Sequence, residues 1–308
     1  MTLTPYRIGC DISKAWLDVF DASTNKATRV ANRVADITLY LATLPSTAVV
    51  VFEATAPYDE KLRRALGAAG LTAIRANPSR ARDYARAAGF LAKTDAVDAR
   101  MLATLPDKIG GEPAPAFDAD REALIAVHRR RDQLVETRAT ERGRAADEPD
   151  ARARKSLARH IAWLDREIAA LDSEIKAALA KPAFAPVVSI VRSIKGVGEV
   201  TTATLVALLP ELGTLSAKAI AALAGLAPIN RDSGTMRGQR HIAGGRRRVR
   251  QALYMAALAA IRSVPRFKAF YLALKARCKH AKIAIVAVAR KLLVTLNAMV
   301  RNEQPFKA

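Results

Sequence analysis

Ala48-Val49-Val50-Val51-Phe52-Glu53 is a run of five apolar residues closed by a carboxylate. A strand without polar alternation has both faces covered, so this one belongs inside a sheet flanked by helices. Outward from it, residues 6–12 form a second short apolar run, broken at Asp11, and residues 15–20 a third. Ser13-Lys14 between those two can turn the chain, which predicts a β-hairpin. Helical patterns cover 34–44 and 58–69, a short strand covers 71–75, and Asn77-Pro78-Ser79 opens a helix towards Ala88. The order β-β-α-β-α-β-α predicts an α/β domain over residues 1–107, with a mixed sheet and helices against it.

Residues 106–115 are rich in Gly and Pro and read as a linker. Over 118–180 the pattern is helical. Leu157, Ile161, Leu164, Ile168, Leu171, Ile175 and Leu179 repeat close to every 3.5 residues, the spacing of a coiled coil. Glu148-Pro149-Asp150 breaks the segment in two, so an antiparallel hairpin and an intermolecular coil both satisfy the spacing. The remainder, 181–308, reads as mostly α, with one loop over 230–248 rich in Gly, Ser and Arg.

The chain has 308 residues and a formal net charge of +21. A protein this basic meets a polyanion, with nucleic acid the first candidate. The charge is uneven. Between Gly234 and Ala308 stand 17 Lys or Arg against a single acid, Glu303, whereas 13 bases and 13 acids cancel over 118–180. The polyanion is therefore expected on the C-terminal part. Cys10 and Cys278 form no disulfide framework or zinc spacing, which suits a reducing cytoplasm. Residues 1–6 carry no signal-peptide pattern, and 283–299 is interrupted by Arg290 and Lys291, so no membrane partner is expected.

Four carboxylates are placed for chemistry. Asp11 and Glu53 end two strands that a ribonuclease-H-like sheet sets side by side, and Asp95 and Asp98 share one helix face. Carboxylates brought together repel unless they bind a cation, and two Mg²⁺ ions about 4 Å apart would serve phosphoryl transfer. Each also has an ordinary reading, as a turn residue or as a charge favourable at a helix N-terminus, and Asp18, Asp59 and Glu60 are competitors. Ser233-Gly234 lies among Arg231, Arg237, Arg240, Arg246, Arg247, Arg248 and Arg250. A serine among arginines suits attack on a phosphodiester, and it also suits a plain turn with phosphate-contacting side chains. Ile194-Lys195-Gly196-Val197-Gly198 has the helix-hairpin-helix pattern, in which backbone N–H groups meet a DNA phosphate; Lys195, Gly196 and Gly198 are its contact residues.

Gly9-Cys10-Asp11, Phe52-Glu53-Ala54-Thr55, Asn77-Pro78, Lys93-Thr94-Asp95-Ala96-Val97-Asp98-Ala99, Gly225-Leu226-Ala227-Pro228, Ser233-Gly234 and Arg250-Gln251-Ala252-Leu253-Tyr254 occur in that order. In this the chain resembles the insertion-sequence transposases that join an N-terminal DEDD domain to a C-terminal serine domain, a group that includes Piv-type DNA invertases. The resemblance implies a Holliday-junction-resolvase-like fold over 1–107 and a basic transposase domain over 181–308. It implies a metal-binding tetrad of Asp11, Glu53, Asp95 and Asp98, and a nucleophilic Ser233 that forms a phosphoserine link to DNA. It implies donor and target DNA, a structured non-coding RNA that specifies the site, and a dimer or tetramer assembled with help from the coiled coil. One departure stands behind Glu53, where Ala56-Pro57 replaces the glycine frequent in the family. The alternative reading is a resolvase-like endonuclease in which metal-activated water attacks.

DNA binding should weaken steeply with salt, the log–log slope falling by about 0.9 for each phosphate contact. A titration from low to high NaCl measures it, and a flat response would exclude a phosphate-dominated interface.

Overall fold

The computed structural model describes residues 6–307 other than 56, 91–94, 112, 231, 235, 239, 278 and 279, with the backbone alone at 95, 96, 232 and 237. The chain divides into two compact units, Met1–Asp118 and Ala119–Ala308.

The first unit is built on five strands, β1 (Arg7–Ile12), β2 (Trp16–Asp21), β3 (Lys26–Ala31), β4 (Val49–Glu53) and β5 (Thr72–Ala76), in the order β3-β2-β1-β4-β5. The hairpin β1–β2 is antiparallel, β1 and β4 run parallel, and the apolar strand β4 lies inside the sheet, as its composition predicts. Strand β3 escapes the sequence reading because its residues are mostly exposed and polar, so it carries no burial pattern.

Alternation along the strands divides the side chains between two layers. Ile8, Cys10, Leu17, Val19, Val50 and Phe52 pack with α1 (Val34–Leu41) and α2 (Glu60–Ala69). Val51, Ile74 and Ala76 pack on the other face with α3 (Pro78–Ala87) and α4 (Asp95–Ile109). Helix α4 approaches β1 so closely that a Cβ on Gly9 would overlap the Ala99 carbonyl and the Ala103 amide.

The expected linker is part of this unit instead. Helix α4 runs through Pro106, and the chain then returns along β5, with the Ala114 N–H donating to the Ala73 carbonyl at 2.7 Å and Pro113 bridging Ile74. Phe117 then sits beneath the Arg63 and Arg64 guanidiniums. An otherwise open sheet edge is covered in this way, which is what a Gly- and Pro-rich segment can do without extending the sheet.

The second unit begins with α5 (Ala119–Asp147) and α6 (Ala151–Leu179), which pack antiparallel. Arg131 meets Asp172 at 2.5 Å and Arg138 meets Asp165 at 2.6 Å across the pair, and Leu134, Leu164 and Ile168 are buried between them. From Leu164 to Leu179 the heptad-like stripe of α6 is therefore packed within the chain. The Asp150 side chain caps α6 through the amides of Arg152 and Ala153. These long helices share one compact unit with the C-terminal helices, because Leu124, Ile175 and Leu179 join Ala203, Val206 and Ala207 in a common cluster.

That remainder comprises α7 (Ala185–Arg192), α8 (Glu199–Leu208), α9 (Ala217–Leu223), α10 (Arg247–Ser263), α11 (Pro265–Ala276) and α12 (Ala281–Arg301). Helix α8 is buried on every side from Thr201 to Ala207, and His128 of α5 reaches it, Nε2 lying 2.9 Å from Thr204 Oγ1. Burial holds the His128 pKa below its ordinary value. By length and composition alone α12 could cross a membrane despite Arg290 and Lys291, as the core helix of a folded unit also can; here Leu292, Leu293 and Leu296 on it are fully buried in the unit's core. The described residues of the loop expected over 230–248 are not all irregular. The segment forms a β-arm of four short strands, β6 (Pro228–Ile229), β7 (Asp232–Ser233), β8 (Met236–Arg237) and β9 (His241–Ile242).

Gly9→Ala should destabilise the protein by about 1–3 kcal/mol, because α4 has no room to give way. The urea midpoint reports it, and an unchanged midpoint would mean that α4 is free to retreat from β1.

Candidate functional site

Register decides which acids meet. The β1–β4 pairing ends at Cys10 opposite Phe52, so the next residues, Asp11 and Glu53, follow at the same end of two neighbouring parallel strands. Both belong to the face that alternates with Cys10 and Phe52, the face covered by α4.

Helix α4 runs antiparallel to β1. Its last turn carries Asp107, 3.3 Å from Arg7 at the start of β1, and its Ala99–Ala103 turn lies on Gly9. Its N-terminal turn, with Asp98, is therefore carried towards the Asp11 end of the sheet. Asp11, Glu53 and Asp98 are each partly buried. The backbone of Asp95 opens the same helix, and its side chain lies outside the described residues, as do Lys93 and Thr94.

The competitors fall elsewhere. Asp18 pairs with Asp11 across the hairpin and shares its face, but its carboxylate accepts from Arg29 Nε at 2.8 Å. Asp59 is fully buried on the opposite face, where Arg75 Nε donates to it at 2.9 Å and Arg63 lies 3.5 Å away. Glu60 is engaged by Arg64 at 3.4 Å. The Cys10 thiol records the local field: burial first, then the charges of Asp11 and Asp18, push its pKa far above the usual range.

Hard oxygen donors at strand ends suit Mg²⁺ by their chemistry. Among the described residues, however, no three His, Cys, Asp or Glu side chains stand close enough to hold an ion, and the tetrad counts Asp95 as its fourth member.

Ser233 stands exposed near the tip of the β-arm in the second unit. It pairs with Met236, and Asp232 pairs with Arg237, while Pro228 and Ile229 pair with Ile242 and His241 nearer the base. Gly234, at φ +56, allows the tight turn beside Ser233. At the base the chain crosses itself backbone to backbone: a Cβ on Gly245 would overlap the Gly225 amide, and one on Gly225 the Gly244 carbonyl.

The arginines expected to contact nucleic acid divide into two sets. Arg240 and Arg247 are exposed. Arg231, and the side chain of Arg237, lie outside the described residues. Arg246, Arg248 and Arg250 make contacts inside the unit. Arg246 forms a bidentate pair with Glu211 at 2.5 and 2.6 Å and donates to the Leu208 carbonyl at 2.9 Å. Arg248 pairs with Asp132 at 3.4 Å and with Glu136. Arg250 donates to the Gly244 carbonyl at 2.7 Å and the Gly225 carbonyl at 3.4 Å. The sequence reading overlooked Glu211, Asp132 and Glu136, which lie 35 or more residues away along the chain.

The turn 193–198 joins α7 to α8. Gly196, at φ +106, lies against the backbone of Ala259 and Ala260, and Gly198 is the N-cap of α8. Lys195 is exposed, while its carbonyl accepts from Ser263 Oγ at 3.1 Å.

Both units match models of known families. Residues 8–147 match a DEDD transposase model, and residues 188–272 match the transposase model of the IS116/IS110/IS902 family. The pilin gene-inverting proteins of Moraxella lacunata and Moraxella bovis are each 31% identical over 274 residues, covering 85% of this chain and 82% of theirs. The chain belongs to the IS116/IS110/IS902 transposase family. The transposase is thus an enzyme that recombines DNA, and its mixed α/β N-terminal sheet fits a ribonuclease-H-like DEDD domain. An uncharacterised protein of insertion element IS110 from Streptomyces coelicolor is 32% identical over 150 residues, 48% of this transposase and 36% of that protein.

Because Asp59 is buried with two arginines on the far face, its loss is a matter of stability. Asp59→Ala should cost about 1–3 kcal/mol by leaving the partly buried donors of Arg63 and Arg75 without this acceptor. A thermal melt checks this, and full stability together with lost DNA cleavage would return Asp59 to the list of metal ligands.

Proposed function

We propose that this transposase uses Ser233 as its nucleophile and the Asp11, Glu53, Asp95 and Asp98 carboxylates as a Mg²⁺ site, with DNA strand exchange as the outcome. The observation that carries the reading is the convergence at one end of the sheet. Asp11 and Glu53 end adjacent parallel strands on the face that α4 covers, and the N-terminal turn of that helix bears Asp98. Bound there, magnesium ions, two by analogy with other phosphoryl-transfer sites, would supply charge neutralisation for phosphoryl transfer.

The chain's own part is the following. The Ser233 Oγ–phosphorus bond forms as a phosphodiester P–O bond breaks, and the departing DNA hydroxyl takes up the proton that the serine gives up. The phosphoserine ester keeps the bond energy, so a second DNA hydroxyl can reverse the step onto a new strand. Arg240 and Arg247, exposed near the arm, would hold the phosphate, with Arg231 and Arg237 beside them in sequence. Lys195, with the backbone at Gly196 and Gly198, would contact the DNA backbone in helix-hairpin-helix fashion, since the first turn of α8 offers unpaired N–H groups.

Resemblance supports the partners: donor and target DNA, a structured non-coding RNA that specifies the site, and a dimer or tetramer of this chain in the bacterial cytoplasm. In such an assembly the tetrad of one protomer would serve the serine of another, with α5 and α6 as an assembly surface.

An SDS-resistant protein–DNA adduct tests the chemistry, with bubble-containing donor DNA, Mg²⁺ and RNA transcribed from the flanks of the gene. Wild type should form the adduct, and Ser233→Ala and Asp11→Ala should both abolish it. Cleaved DNA without an adduct, unaffected by Ser233→Ala, would instead make water the nucleophile, as in a resolvase-like endonuclease.

A further inference from the structure

Arginines at 246, 247 and 248 open α10, the end of a helix where its dipole disfavours cations. Such placement calls for acceptors, and for two of the three the fold supplies them. Arg246 reaches both oxygens of Glu211 and the Leu208 carbonyl at the C-terminal end of α8, where the dipole is negative. Arg248 reaches Asp132 and Glu136 on α5. One turn on, Arg250 binds the carbonyls of Gly225 and Gly244, one from each side of the arm's base. Arg247 is exposed and, among the described residues, pairs with no carboxylate.

These contacts surround the crossing of Gly225 and Gly245, where the chain leaves the helical unit and re-enters it. The Arg246 amide also donates to the Leu223 carbonyl at 2.8 Å, tying the end of α9 to the start of α10. Beyond this point the described residues of the arm pair in two short ladders, and the arm joins the helical unit at its base.

We infer that Arg246, Arg248 and Arg250 are positioning residues that aim the Ser233 arm, and that Arg247 is the member of this cluster left to contact phosphate. The consequence for recombination rests on the reading of Ser233 as the reacting group; the anchoring itself does not.

Arg246→Lys separates the two roles. It keeps the charge a phosphate needs but loses the planar fork that grips Glu211 and the carbonyl together. A nitroxide at Met236→Cys, in a Cys278→Ser background, reports the arm's motion; Met236 is 67% exposed, and Cys10 at 1% stays unlabelled. Arg246→Lys should narrow the spectral lines and lower adduct yield about tenfold through misplaced geometry. It should leave the salt slope of DNA binding at the wild-type value, whereas Arg247→Ala should reduce that slope by about one contact. Glu211→Gln removes the charge and one of the two acceptor oxygens without touching the arginine, and should repeat the Arg246→Lys result. Unchanged lines in both variants, or an Arg246→Ala slope reduced as in Arg247→Ala, would overturn the assignment. A wild-type protein that forms no adduct would sink the serine reading alone, because the spectra still decide the anchor.

Discussion

The N-terminal unit depends on one close approach, the backbone of α4 against Gly9 of β1. Only a residue without a Cβ lets the Ala99 carbonyl and Ala103 amide come so near the strand. The contact sets how high the helix rides on the sheet. The ion pair of Arg7 with Asp107 marks its direction. Together they show that Asp98 lies towards the Asp11 and Glu53 end and not the other. Small residues on the helix, Ala99 and Ala103, complete the fit, with Phe20 packed beside them.

A second backbone crossing, Gly225 over Gly245, plays the same part in the C-terminal unit. In both places the absence of side chains lets two segments touch, and the residue proposed for the chemistry stands beyond the contact. The surroundings differ. Gly9 is enclosed by apolar packing, whereas the arm's base is ringed by guanidiniums that use carbonyls and carboxylates as acceptors. Part of this protein's positive charge is thus paired within its own units. Arg131, Arg138, Arg246 and Arg248 are all committed to acids of the same unit. The net charge of +21 still favours a polyanion, but it does not say which arginines meet it.

Much of the architecture was legible because burial leaves a pattern. The apolar run 49–52 announces a central strand, the capped start at Asn77 announces α3, and the repeat from Leu157 to Leu179 announces α6. Strand β3 left no such trace, since an edge strand facing solvent needs only backbone pairing. The segment after α4 misled for a related reason. Gly and Pro mark a departure from regular structure, and they do not say whether the chain leaves the domain or lies along its edge. Short strands in an arm such as β6–β9 bury little and so carry no periodicity either.

By itself, the sequence determined the family, the central strand, the two long helices and the identity of the acids at strand ends, because each is written in local order: motif, burial pattern, helical spacing. Tertiary structure alone decided the rest. Asp59 and Glu53 lie six residues apart, yet alternation and the arginines of α2 and β5 send them to opposite faces of one sheet. Arg246 and Arg247 are neighbours, yet one grips Glu211 and the other is exposed. Charge and residue type are local properties. Which acceptor lies within 3 Å is set by chain segments far away in sequence, and only the folded chain brings them together.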